Sequence, residues 1–149
     1  MTESWRFARW RLRCRIALTL FYGLAGLLHI LIPKPFVSIT PVWVPYPDAV
    51  ILLTGICELL GAAGLWNRPL ARAAAIGLAL YALCVYPANI KHAIDSLSAT
   101  DATILPWFYH APRLAAQPLL VWLPLFAVGL VTWPFSRMGR EPKAEKRVE

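Results

Sequence analysis

Charge is scarce in this chain. Charged side chains make up 15% of its 149 residues, and only 8 are acidic. So few charges cannot cover a globule that faces water, and a disordered chain would need far more of them. Signature motifs are missing too: there is no phosphate loop, no nucleophile elbow and no HExxH zinc helix. Cys14, Cys57 and Cys84 form no CxxC pair. Cys14 is expected on the reducing, cytoplasmic side. Cys57 and Cys84 fall at different depths of their segments, which favours free thiols over a disulfide needing Cα atoms within about 7 Å.

What the chain has is apolar surface. Hydrophobic residues reach 58% and mean hydropathy is +0.54, above the roughly 45–50% of soluble domains. A small, all-α integral membrane protein is expected, a four-helix bundle in one domain. The net charge of +7 raises the question of nucleic acid, but its distribution argues against that partner. All but Lys34, Lys91 and Arg113 of the 15 basic residues lie in three places: before the first apolar run, at Arg68 and Arg72, and after the last run. That pattern follows the positive-inside rule.

Four stretches approach the roughly 20 apolar residues that a span requires. They are Ile16 to Ile32, Ala49 to Trp66, Leu70 to about Asn89, and Leu114 to Trp133. Segments in lipid must satisfy their own backbone groups, so each should be helical. Three basic clusters on one side put both termini in the cytoplasm and turn loops 33–48 and 90–113 outward. Residues 1–15 form a basic cytoplasmic segment, 16–135 the membrane domain and 136–149 a charged cytoplasmic tail. The first apolar run exceeds a typical signal-peptide core of about 7–15 residues, so an uncleaved anchor is expected. The bilayer is the evident partner, and the pattern suits the bacterial cytoplasmic (inner) membrane.

Several polar residues interrupt the spans. An ionisable group at a span's centre costs at least about 2.5 kcal/mol, so it normally faces the bundle interior. Glu58 lies near mid-span on a face made small by Gly55, Gly61 and Ala62. His29 is one turn from the outer end of the first span. Tyr22, about 15 Å below that end at ~1.5 Å per residue, reaches the depth of Glu58 and is a candidate hydrogen-bond partner for it. Asn89 closes the third span, Arg113 opens the fourth, and Gln117 lies one turn further in. By depth, Tyr22, His29, Glu58, Asn89, Arg113 and Gln117 form a ladder in the outer half, with His92 as an additional candidate. A polar pocket open to the outer face and closed below Glu58 is expected. The proline- and aromatic-rich stretches 33–48 and 106–112 are placed to roof it, or simply to anchor at the interface.

The plainer alternatives stay open. Buried polar groups also hold helices together, at about 0.6 kcal/mol per hydrogen bond. Asn89 also suits a helix end after Pro87, and Arg113 a snorkelling contact with phosphates. A metal site from His29, His92 and Glu58, or a bis-histidine haem from His29 and His92, lacks ligand spacing and is not favoured. His110 is read as a solvated loop residue.

Five stretches resemble the DoxX family of small four-helix membrane proteins. They are Ala25-Gly26-Leu27-Leu28-His29, Pro41 to Pro47, Thr54-Gly55-Ile56-Cys57-Glu58-Leu59-Leu60-Gly61-Ala62, Tyr86-Pro87-Ala88-Asn89-Ile90, and Arg113-Leu114-Ala115-Ala116-Gln117-Pro118-Leu119. Together they cover roughly residues 16–135. His92 and Ala115-Ala116 depart from that family's pattern. The resemblance implies an association with thiosulfate:quinone oxidoreductase, hence an accessory or membrane subunit of a quinone- or sulfur-linked redox system, with a membrane or periplasmic redox partner and homo-oligomers also open; in that reading Gln117, His29 and Asn89 would hydrogen-bond a quinone or small sulfur species, Arg113 would attract anions and Glu58 would take or give protons. No catalytic residue follows from it. A proton-coupled transporter working through Glu58 and a structural or assembly protein without catalysis are the competing readings; no inverted repeat supports the transporter.

Overall fold

A computed structural model describes residues 2–98 and 105–133 of the chain. Every regular element among them is helical: α1 (Thr2–Leu31), α2 (Lys34–Ser38), α3 (Pro47–Gly64), α4 (Ala71–Leu97) and α5 (Leu105–Ala127). Three helical segments, Phe7–Leu31, Pro47–Gly64 and Ala71–Leu97, are long and apolar enough to cross a membrane. The 23-residue α5 is not among them; His110, Arg113 and Gln117 interrupt its apolar run. Large apolar side chains such as Leu20, Leu24 and Leu60 stay exposed around the bundle, a surface suited to lipid rather than water.

α1 packs chiefly on α3 and α4 chiefly on α5; α3–α4 and α1–α5 contacts close the ring, and α2 lies against α3. The closest approach is at glycine. A Cβ on Gly26 would sit 2.7 Å from the Gly55 carbonyl oxygen, and one on Gly55 would sit 2.9 Å from the Gly26 carbonyl oxygen and from the His29 Cβ. On α3's other neighbour, a Cβ on Gly61 would meet the Leu78 side chain at 2.5 Å. α3 can therefore lie close to both α1 and α4 because it presents glycine to each. Leu18, Tyr22, Ala62, Leu65, Ala75, Leu78 and Ala127 form the buried apolar core at the end of the bundle that carries the α3–α4 turn.

The helix limits depart from the hydropathy limits in three places, the first being α1, which begins at Thr2 and carries the basic residues ahead of Ile16 within the same helix. α4 does not stop at Asn89 but runs through Pro87 to Leu97. Proline removes one backbone donor, yet neighbouring helices can satisfy the carbonyl it frees, so a packed helix continues. The Lys91–Asp95 pair, 2.7 Å apart at i,i+4, lies on the added turns. Residues 90–97 and 105–113 are thus helical rather than loop. α5 in turn starts earlier and ends earlier than the fourth apolar stretch. Gly129, at φ 81°, reverses the chain there, and the Leu130 amide donates to the Leu125 carbonyl at 2.9 Å. Cys14, Cys57 and Cys84 are free thiols.

Two glycine substitutions check this packing. Gly55→Leu should destabilise the protein by about 1–3 kcal/mol through overpacking against Gly26 and His29. Gly77→Ala, where a Cβ meets nothing within 4 Å, should be neutral or stabilise by roughly 0.5–1 kcal/mol. Unfolding in detergent, followed by circular dichroism, reads both.

Candidate functional site

All four long helices and the segment around α2 surround a cavity of about 870 Å³. Tyr22, His29, Glu58, Asn89, His92, Arg113 and Gln117 all line it. Phe36, Trp43 and Val44 contribute from the α2 segment, and Phe36 packs on the His29 imidazole with ring centres 4.1 Å apart. Apolar and aromatic side chains make up most of the remaining wall.

At one place in the wall, three helices converge on a carboxyl group. Glu58 is 3% exposed. Its Oε2 lies 2.6 Å from His29 Nδ1, a contact that requires one proton between them. Its Oε1 accepts a hydrogen bond from the Tyr81 hydroxyl at 2.8 Å. The α1–α3 glycine contact sets this up, because Gly55 has no Cβ and His29 passes directly over it. Glu58, three residues along α3, then faces the imidazole. With Nδ1 committed to Glu58, Nε2 is the ring nitrogen left for a further hydrogen bond.

Tyr22 is not the partner of Glu58. Its ring is 1% exposed and meets the Tyr81 ring edge-on at 6.2 Å. Its hydroxyl has no hydrogen-bond partner among the described residues. Tyr81 takes the place expected for it. The depth count that brought Tyr22 to Glu58 would have found Tyr81 too: it lies eight residues, about 12 Å, below Asn89.

The second polar group joins α4 to α5. Arg113 donates to Asn89 Oδ1, Asn89 Nδ2 donates to Gln117 Oε1 at 3.2 Å, and Gln117 Nε2 donates to the Ala82 carbonyl. A guanidinium can only donate, so it fixes the Asn89 amide, which in turn fixes Gln117. The chain ends on a carbonyl in the turn ahead of Pro87. Asn89 is therefore no helix cap, and Arg113 is held inward rather than reaching out to lipid. Both amides have their hydrogen-bonding groups engaged with neighbours.

His110 is not a solvated loop residue either. It lies on α5, 2% exposed, with its ring 4.8 Å from that of His92 and 4.8 Å from that of Tyr109. Helix α5 begins early enough to carry it inside. No group of three or more His, Cys, Asp or Glu among the described residues could hold a metal ion.

The two polar groups differ from an ordinary surface pair in what they cost to break. Asn89→Leu would leave Arg113 and Gln117 with buried unpaired groups and should destabilise by about 1–3 kcal/mol. Tyr81→Phe should cost about 1 kcal/mol. Lys91→Ala, which removes the exposed pair with Asp95, should cost under about 0.5 kcal/mol. Denaturant unfolding of the three variants orders them.

Neither a curated protein nor a solved structure matches this chain. A family model does: the one described as "Domain of unknown function (DUF8561)" matches residues 18–128. That range takes in every cavity residue from Tyr22 to Gln117, and the chain belongs to this family.

Proposed function

We propose that the protein spans the membrane four times, with both termini in the cytoplasm, and binds a quinone-class ligand in a cavity open to the outer face. In this reading it is an accessory or membrane subunit of a redox system. The basic residues support the orientation, since Arg9, Arg11, Arg13, Arg15, Arg68 and Arg72 all fall at one end of the bundle. The apolar stretch that continues from α5 to Trp133 supports a fourth crossing. The resemblance to the DoxX family points the same way.

The observation that carries the ligand class is the His29–Glu58–Tyr81 group set in an apolar, aromatic-walled cavity. A quinone offers a flat apolar body and two carbonyl acceptors. Its conversion to a quinol takes up two protons and two electrons. The pair accounts for one of these protons: His29 Nε2–H passes to a carbonyl as the Glu58 carboxyl gives its own proton to Nδ1, leaving Glu58 a carboxylate, and water from the outer face supplies the second proton and recharges Glu58. The sequence has no cofactor motif, so the electrons come from a partner protein.

A second reading rests on the same geometry. Both oxygens of Glu58 are engaged, one from α1 and one from α4, so the group also serves to tie three helices together. The two readings part on binding. Purified protein in nanodiscs should bind a ubiquinone analogue saturably, and Glu58→Gln or His29→Ala should weaken that binding at least tenfold, about 1.4 kcal/mol. Cys57→Ser, on the exposed outer surface, should leave it unchanged. Folded Glu58→Gln protein with full affinity would overturn the ligand reading and leave the structural one.

A further inference from the structure

A different pair of side chains lies at the opposite end of the bundle from the cavity residues Asn89 and Arg113. Arg11 and Arg15 are one turn apart on α1, both half-buried, and both face the end of α5. The Arg11 guanidinium lies over the Phe126 ring, 5.6 Å from its centre. The Arg15 guanidinium lies over the Trp66 ring at 5.7 Å, and Trp66 is in turn held by a 2.7 Å hydrogen bond from its indole to Thr19. The chain turns sharply at Gly129, and a Cβ there would come within 3.1 Å of Arg11 Nη1. Glycine thus leaves the space in which the guanidinium sits.

Two cations are fixed side by side in this way, each with one face covered by an aromatic ring. Neither is paired with a carboxylate among the described residues, where the ion pairs are His29–Glu58 and Lys91–Asp95. Among the described residues, the hydrogen bond that either makes is from Arg15 to the Ala127 carbonyl, at 3.4 Å. A backbone carbonyl carries no net charge, so this contact leaves both guanidinium charges without a counter-ion among the described residues. Planar guanidinium edges fit phosphate oxygens bidentately, and basic pockets between helices on the cytoplasmic side suit anionic head groups.

We propose that Arg11 and Arg15, seated on Phe126 and Trp66, form a phosphate-binding site for the head group of an anionic phospholipid in the cytoplasmic leaflet. The site rests on the membrane reading but not on the cavity's ligand. It joins α1 to α5 through the lipid as well as through protein contacts. Arg13, which points elsewhere and lies over Trp10, has no part in it.

The test compares thermal stability in phosphatidylcholine nanodiscs with and without phosphatidylglycerol, alongside protein in detergent with inorganic phosphate. A site-bound ligand raises the melting temperature with concentration. Phosphatidylglycerol should stabilise the native chain, and the Arg11→Gln/Arg15→Gln variant should show at least a tenfold weaker apparent affinity for it. The Arg11→Lys/Arg15→Lys variant keeps the charge, guards against failure to fold, and should still bind several-fold more weakly. Stabilisation by inorganic phosphate to the same extent would assign the site to free phosphate and overturn the lipid source. Equal loss in Arg13→Gln, or undiminished stabilisation in the double glutamine variant, would show a diffuse charge effect and overturn the site itself. Quinone binding is read separately, so either proposal can fail without the other.

Discussion

The organisation of this protein depends on the close contact of α1 and α3 at Gly26 and Gly55. Without it, His29 could not reach Glu58, and a carboxyl group would stand buried with half its partners gone. Glycine costs helix stability in isolation. Here it shortens the distance between two backbones, and the return is a hydrogen bond in surroundings where an unpaired acid is expensive. Gly61 does the same toward Leu78 on α4, which brings Tyr81 to the other carboxylate oxygen. One acid thus sets the register of three helices.

The polar wall of the cavity is built as two separate units with opposite logic. Glu58 is an acceptor served by two donors from different helices. Arg113 is a donor whose direction passes through Asn89 and Gln117 to a backbone carbonyl. The first unit leaves one imidazole nitrogen outside the pair. The second has spent its amides on internal bonds, so it is better suited to positioning than to exchange. This division separates His29, which has one ring nitrogen outside the Glu58 contact, from Asn89 and Gln117, whose amides are engaged with neighbours, although depth alone makes the three look alike.

Much of this could be read from the residues, and the misses have specific physical causes. Helical segments followed from apolar run length, and the gathering of Tyr22, His29, Glu58, Asn89, Arg113 and Gln117 around one space followed from counting depth along each run. Helix ends did not follow, because hydropathy reports where lipid-compatible side chains stop, not where backbone hydrogen bonding stops. Lys91 and Asp95 look like loop residues by polarity, yet they extend α4 as an i,i+4 pair. His110 reads as a loop residue for the same reason. Tyr81 does not stand out in the sequence, because an aromatic residue in an apolar run carries no hint of which face it occupies. Choosing between Tyr22 and Tyr81 required the rotation of each helix, which depth does not give.

The burial of Glu58 also bears on how the chain assembles during synthesis. α1 is made first and carries His29, so one partner already waits when α3 emerges. Tyr81 arrives only with α4, after α3 has left the ribosome. Until then α3 holds an acid with a single hydrogen-bond donor. The hydrogen-bond shell of this acid thus draws on helices far apart in the chain and is complete only once α4 is packed.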